Sequence, residues 1–357
     1  MTDNLPVPAQ QPVGWRYVNE VVDAELVPAG QSTADLHLSD AAQELIDDAK
    51  APNTRRSYAG QRKAFREWCA GQERPRCPLP ATGETLAEYA TYLVGKDRSP
   101  RTIEQAVSAI RTEHEDEGLP KPPTKKVQDV LRAYKRRRAS DGKRTKQAPA
   151  VLLDHLRKMV DAVPDGVAGV RDRALIVLGW AMMARRSELV ALNWTDIVEN
   201  DEGIEVLIRQ SKTDQDAVGE VVTIPYGSHP DTCPVRLLRA WRSELGARDL
   251  AASAVFRSID RHGRVAGEEK FAGRGATRIS GDGVAKALRR AAVAAGLPGN
   301  ITPHGLRSGG ATESYRVNKN AVDVARHGRW ADGSPVFYRY IRTIDKWTNN
   351  PMRGVGL

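Results

Sequence analysis

Cysteine is scarce in this chain of 357 residues: Cys69, Cys77 and Cys233 are the only three. They form no CxxC pair and have no histidine-rich neighbourhood. That excludes a disulfide framework and a structural zinc site, and it fits a reducing cytosol. No apolar run reaches membrane-spanning length, and the N-terminal stretch is acidic and proline-dotted rather than signal-like. A Walker-type glycine-rich loop, an HExxH pair and a nucleophile elbow are all missing, and so is a convincing carboxylate set for a two-metal nuclease.

Positive charge is abundant. A formal net charge of +9 and a pI near 9.5 point to a polyanionic partner, with a merely basic soluble protein as the plain alternative. The length suffices for two domains with proper cores.

Residues 1–37 are polar and aperiodic and read as a flexible arm. Amphipathic helices follow over 38–138. Ser39 caps "SDAAQELIDDAK", and Asn53 caps "NTRRSYAGQRKAFREWCAG", in which Tyr58, Phe65, Trp68 and Cys69 share a stripe. "ETLAEYATYLV" is a third helix. "SPRTIEQAVSAIRTEH" opens on Ser99 as cap and Pro100 at the first helical position, and "TKKVQDVLRAYKRRR" keeps Val127, Val130, Leu131 and Tyr134 at helical spacing. The stretch 139–149, "ASDGKRTKQAP", reads as a linker. With Arg136, Arg137 and Arg138 before it and Lys143 within it, it is either a solvated helix end plus hinge or a strap that tracks phosphates. Residues 150–357 form a second, mostly helical domain interrupted by a β-hairpin, "GIEVLIR" and "EVVTIP", with Lys212 on its polar tip. The fold class expected is mainly α with one small sheet.

Chemistry-bearing residues are spread along this second domain. Arg185 and Arg186 follow the nearly unbroken apolar run "ALIVLGWAMMA", so one of them lies near the core and needs an anion. An internal salt bridge to Glu188 would supply it. A lone tip lysine such as Lys212 is usually just solvated. His304 and Arg307, in "TPHGLRSGGAT", share a face on a helix. Near the end come Tyr338 and Tyr340 in "SPVFYRYIR". Two arginines, a lysine, a histidine and a late tyrosine form a sensible set for metal-free phosphoryl transfer. Guanidiniums clamp the non-bridging oxygens of a dianionic transition state, the phenol attacks, and a desolvated lysine protonates the leaving alkoxide. Either phenol could be the nucleophile on spacing alone.

In this order the segments resemble the tyrosine recombinase (phage integrase) family, over roughly residues 38–345. "RDRALIVLGWAMMARRSELVAL" resembles the first arginine box and selects Arg185, with Glu188 as its supporting acid. "IRQSKTDQ" selects Lys212, "TPHGLRSGGAT" selects His304 and Arg307, and "RHGRW" selects Trp330, where most members carry His and some Trp. The Ile-Arg after the last phenol selects Tyr340 and makes Tyr338 a packing residue. In the first domain the likeness implies a SAM-like core-binding fold that presents Thr54, Arg56, Arg101 and Gln105 to DNA. It further implies an enzyme that cleaves and rejoins duplex DNA through a 3′-phosphotyrosine and a Holliday junction, as a homotetramer on two sites, without metal or ATP. Such an enzyme would be cytoplasmic and nucleoid-associated. Rival readings are a type IB topoisomerase or telomere resolvase, or a DNA-binding regulator lacking activity. Two departures stand out. Met182-Met183 replace the usual small residue before the arginine box, and the segment from Trp330 to the tyrosine is one residue longer, which Gly333 and Pro335 can absorb.

Overall fold

Ser39 accepts the Ala42 amide on its hydroxyl at 3.2 Å and so starts helix α1 (Asp40–Ala49). The computed structural model describes residues 38–49, 52–143, 148–209, 219–248, 253–272, 277–298, 300–318, 320–331, 333–338, 340 and 352–355. The N-terminal arm, the hairpin tip with Lys212, and the apolar tail residues Ile344 and Trp347 lie outside them. The chain divides into two compact units, Met1–Thr145 and Lys146–Leu357.

The first unit continues with α2 (Pro52–Ala70), α3 (Gly83–Gly95), α4 (Pro100–Asp116) and α5 (Lys125–Ser140). Helix α2 begins one residue before Asn53, so Asn53 is not its cap; its side chain accepts from Arg56 instead, at 3.3 Å. Ser99 does cap α4, accepting the Thr102 amide at 3.1 Å with Pro100 in the first turn. Phe65, Leu86, Tyr89, Ile103 and Ile110 are fully buried and tie α2, α3 and α4 together. His114, also fully buried, accepts the Ala81 amide on Nε2 at 2.8 Å, so its Nδ1 carries the proton given to the Ile110 carbonyl. Helix α5 runs to Ser140, past the start of the expected linker, because nothing in "KRRRAS" stops a helix before the Asp141-Gly142 turn.

The second unit contains α6 (Leu153–Ala162), α7 (Val167–Ala181), α8 (Arg186–Ala191), β1 (Ile197–Glu199), β2 (Gly203–Ile208), β3 (Glu220–Pro225), α9 (Pro234–Gly246), α10 (Gly281–Ala294), α11 (Pro303–Asn318) and α12 (Ala321–His327). The strands pair antiparallel in the order β1-β2-β3, with the cross-strand pairs Ile204–Ile224 and Val206–Val222 turned into the core. The hairpin expected from sequence is therefore part of a three-stranded sheet. Strand β1 is only three residues long, too short to show alternation. Helix α7 is the centre of the unit: Leu175, Ile176 and Leu178 are fully buried, and it packs on both α9 and α11. Burial of each such side chain contributes about 1.5–3 kcal/mol.

Two glycines let backbones close on α11. A Cβ on Gly309 would sit 1.9 Å from the Val151 carbonyl oxygen, and one on Gly310 would sit 2.5 Å from that of Trp180. The Trp180 indole donates to the same Val151 oxygen at 2.8 Å. Gly310 thus lets α11 close on α7, and Gly309 lets it close on the segment before α6. A satellite core of Met183, Ala311, Val324 and Phe337, with Trp330 packed on it, joins these helices to α12 and to the helical turn 335–338.

Candidate active site

Helix α7 ends in a Schellman motif. The Met183 amide bonds the Trp180 carbonyl at 3.1 Å and the Ala184 amide bonds that of Gly179 at 2.9 Å, with Met183 in the left-handed region at φ 47°. Glycine is the residue free of strain there, so the departure at Met182-Met183 is a strained turn. It also exposes carbonyls at the negative end of the α7 dipole. Helix α12 ends the same way. Arg329 bonds Arg326 at 2.9 Å, Trp330 bonds Ala325 at 3.0 Å, and Arg329 sits at φ 57°.

Arginines gather on these two helix ends. Arg185 precedes α8, and Glu188 supplies the carboxylate half of a capping box: its Oε2 accepts the Arg185 amide at 2.8 Å while Oε1 accepts the guanidinium at 2.8 Å. The guanidinium also donates to the Arg329 carbonyl at 3.2 Å. Arg307, on α11, is buried and donates through Nη1 to the Met183 carbonyl at 2.5 Å. The Trp330 ring lies 3.9 Å from its guanidinium carbon, a stacked cation–π contact. Its Nη2 is buried with no hydrogen-bond partner among the described residues. Arg186 is half exposed, 3.7 Å from Asp282.

The Tyr340 hydroxyl lies 2.6 Å from His304 Nε2, and its ring is 6.1 Å from Trp330. Tyr338 is 45% exposed, and the residue that packs at this turn is Phe337, which is 3% exposed with its ring 5.2 Å from Trp330. The expectation that Tyr338 is the packing residue is therefore corrected by one position: in a helical turn, neighbouring side chains point about 100° apart. Gly333 sits at φ 68°, a left-handed turn just before the helical turn 335–338. Lys212 lies outside the described residues.

Charge in this cluster is unbalanced. Arg185, Arg307 and Arg329 surround the single buried carboxylate of Glu188. Burial alone would raise the Glu188 pKa, but Arg329 and the Arg185 amide and guanidinium outweigh it and hold the carboxyl below its ordinary range. Burial, with help from Arg185, pulls Arg307 down to about 9, which marks a guanidinium short of an anion. Desolvation and then Arg307 keep His304 below the ordinary imidazole value, although much of its ring is open to solvent. A cleft of about 310 Å³ is lined by Ala184, Arg185, Arg186, Thr302, Pro303, His304 and Arg307, and the buried Thr302 hydroxyl in it has no partner among the described residues. The arrangement is an anion site with a phenol–imidazole pair at its rim. A larger cleft, about 630 Å³, contains none of the expected site residues. Among the described residues no group of three metal-ligating side chains comes together, and no helix is long and apolar enough to cross a membrane.

In the first unit, Thr54 and Arg56 near the start of α2 and Arg101 and Gln105 near the start of α4 are all exposed. The Gln105 amide reaches Ser57 at 2.8 Å, so the two helix starts lie side by side. Arg136 and Arg137 are exposed. Arg138 and Lys143 instead converge on Asp97, at 3.0 and 3.2 Å, and Arg138 also bonds the Tyr134 hydroxyl. Two site residues carried no signal of their own in the sequence: Arg329, which stands there only as part of "RHGRW", and Thr302.

The Phage integrase family model matches residues 151–346. An integrase/recombinase XerD homologue from Selenomonas ruminantium is 29% identical over 318 residues, covering 88% of this chain and 89% of the relative. The Cre recombinase of Escherichia phage P1 is 23% identical over 301 residues, covering 82% and 84%. Among solved structures, XerH recombinase in a post-cleavage complex with a palindromic difH substrate superposes with a TM-score of 0.56 at 15% identity, over 85% of this chain and 79% of that one. The fold is thus shared well beyond recognisable sequence identity.

Proposed function

The chain belongs to the phage integrase family, and from that premise we propose that Tyr340 is the nucleophile of a tyrosine-type site-specific DNA recombinase whose scissile phosphate sits between Arg185 and Arg307. The observation that carries the reading is the pairing of a cleft lined by Arg185, Arg186 and Arg307, in which Arg307 Nη2 has no partner among the described residues, with a phenol 2.6 Å from an imidazole whose pKa is lowered.

The Tyr340 oxygen attacks phosphorus and its proton passes to His304 Nε2. The bond from phosphorus to the 5′-oxygen breaks. The products are a 3′-phosphotyrosine and a free 5′-hydroxyl, whose oxygen takes its proton from Lys212. Arg185 and Arg307 hold the two non-bridging oxygens, and the unpartnered Arg307 Nη2 is a donor waiting for one of them. Trp330 packs under Arg307 and fixes its plane. Attack by the 5′-hydroxyl of a second duplex on the phosphotyrosine rejoins the backbone. Each bond broken is exchanged for a like one, so this route calls on neither ATP nor metal. Four protomers on two sites would pass through a Holliday junction. Thr54, Arg56, Arg101 and Gln105 would face the DNA grooves, with Arg136, Arg137, Arg138 and Lys143 along phosphates.

The test is covalent adduct on a denaturing gel. The substrate is a library of nicked duplexes with randomised inverted repeats, enriched on the wild-type protein. Wild-type protein forms adduct in excess EDTA, Tyr340→Phe forms none while still binding, and Tyr338→Phe retains it. Adduct from Tyr340→Phe, or cleavage abolished by EDTA and restored by magnesium, overturns the assignment.

A further inference from the structure

Arg329 occupies a position where its backbone is strained and its side chain is sealed from solvent. At φ 57° it closes the Schellman turn of α12, a conformation that costs an ordinary L-residue about 1–2 kcal/mol and glycine almost nothing. Its guanidinium is 1% exposed. A buried, strained arginine persists only where its contacts offset both costs.

Two of those contacts lead to Arg185, and two tie the helix ends together. Nη2 donates to Glu188 Oε2 at 2.8 Å and to the Met182 carbonyl at 3.2 Å, and Nη1 donates to the His327 carbonyl at 3.0 Å. Glu188 Oε2 is the oxygen that also takes the Arg185 amide, while Oε1 takes the Arg185 guanidinium. The Arg329 carbonyl accepts the other end of that guanidinium at 3.2 Å. Arg329 therefore holds Arg185 twice, directly by its backbone and through Glu188 by its side chain, while joining the C-terminal turns of α7 and α12. It does not line the cleft formed by Arg185, Arg186, His304 and Arg307.

We propose that Arg329 is a positioning residue for Arg185: the buried Arg185–Glu188–Arg329 triad fixes the phosphate-clamping guanidinium before DNA arrives. With Arg329 the Glu188 carboxylate is held from two helix ends, whereas without it every remaining bond comes from Arg185 itself. The inference rests on the recombinase reading for the task of Arg185. His327, held by the Ala181 carbonyl at 2.8 Å and kept below the ordinary imidazole pKa by burial and by Arg329, braces the same turn.

The experiment measures the first-order rate of adduct formation on the enriched nicked duplex, beside DNA affinity and the thermal unfolding midpoint. Arg329→Met removes the fork and the charge. Arg329→Gly removes the side chain while relieving the backbone, which guards against a folding failure. Both lower the rate at least about tenfold with affinity within about twofold, as expected of a group that aligns a transition-state donor. Arg329→Lys, which keeps the charge but cannot reach Glu188 and both carbonyls, falls between them and wild type. The Glu188→Gln/Arg329→Met double variant is no slower than the slower single variant, because both act through one unit. Wild-type rates from Arg329→Gly and Arg329→Met, losses that merely track the folded fraction, or strictly multiplicative losses overturn the proposal. Wild-type protein that forms no adduct overturns the recombinase reading itself, and this inference with it.

Discussion

Both units are rich in cations, yet they treat charge in opposite ways. In the first, most ion pairs lie on the surface: Lys135 with Glu104, Lys126 with Glu84, Arg132 with Asp129, each partner about half exposed or more, and the buried Glu113 has the half-exposed Arg66 as its one salt-bridge partner among the described residues. Even Arg138 and Lys143, in the stretch that reads as a basic strap, share Asp97. Water screens such pairs, and each is worth little. In the second unit three guanidiniums crowd one buried carboxylate and donate to backbone carbonyls at two strained helix ends, with Arg307 Nη2 left without a partner among the described residues. Charge in the first unit is largely paired at the surface. Buried, under-neutralised charge in the second is a site built for an anion that is brought to it.

The largest effect expected from breaking this contrast is at Arg307. Arg307→Ala removes the donor whose Nη2 has no partner among the described residues, and the adduct rate falls about 10²–10³-fold, read by quenched-flow gels on the enriched duplex. Next is Glu188→Ala, which leaves Arg185 and Arg329 without their carboxylate. Urea unfolding of the second unit loses about 3–5 kcal/mol, a loss that removal of one partner from a buried pair produces. The matching change on the first unit's surface, Glu104→Ala, shifts its unfolding by no more than about 1 kcal/mol. A Glu104 effect as large as that of Glu188 would erase the distinction between the units.

The pH profile sharpens it. His304 must be neutral to take the phenol proton, and its pKa is held below the ordinary value of about 6.5 by desolvation and Arg307. Activity should therefore stay level as pH falls to that value, then drop by about tenfold per unit once it passes the depressed pKa. A decline that begins well above pH 7 contradicts a neutral His304. Smallest is the salt dependence of binding. Arg136→Ala with Arg137→Ala flattens the slope of log affinity against log salt by about 0.9 for each phosphate no longer neutralised, and adding Arg138→Ala changes it little further, since Asp97 already holds Arg138.

Much of the architecture is legible without coordinates, because it depends on local rules. Helical spacing places Phe65, Leu131 and Tyr134 in a core, Ser99 and Pro100 mark a helix start, and alternation marks β2 and β3. Where local signals are thin, sequence misleads. Asn53 looks like a cap but lies inside α2, the three-residue β1 shows no period, and α5 runs into the stretch that reads as linker. At the candidate site, the family resemblance selects Arg185, Glu188, His304, Arg307, Trp330 and Tyr340, whereas spacing alone leaves Tyr338 and Tyr340 open.

What the sequence determined by itself is the inventory: a basic, mainly helical chain of two units carrying a phosphoryl-transfer set in the order of its family. Tertiary structure decided which of those groups are partners. That Arg329 completes the Arg185–Glu188 pair across 141 and 144 residues of chain follows from two helix ends meeting. That Phe337 rather than Tyr338 fills the satellite core, and that Tyr340 reaches His304, follows from the rotation of one helical turn packed on Trp330. Hydrogen bonds and ion pairs are short-ranged. Only a packed interior, in which Gly309 and Gly310 let backbones touch, can set distances between groups so far apart in sequence.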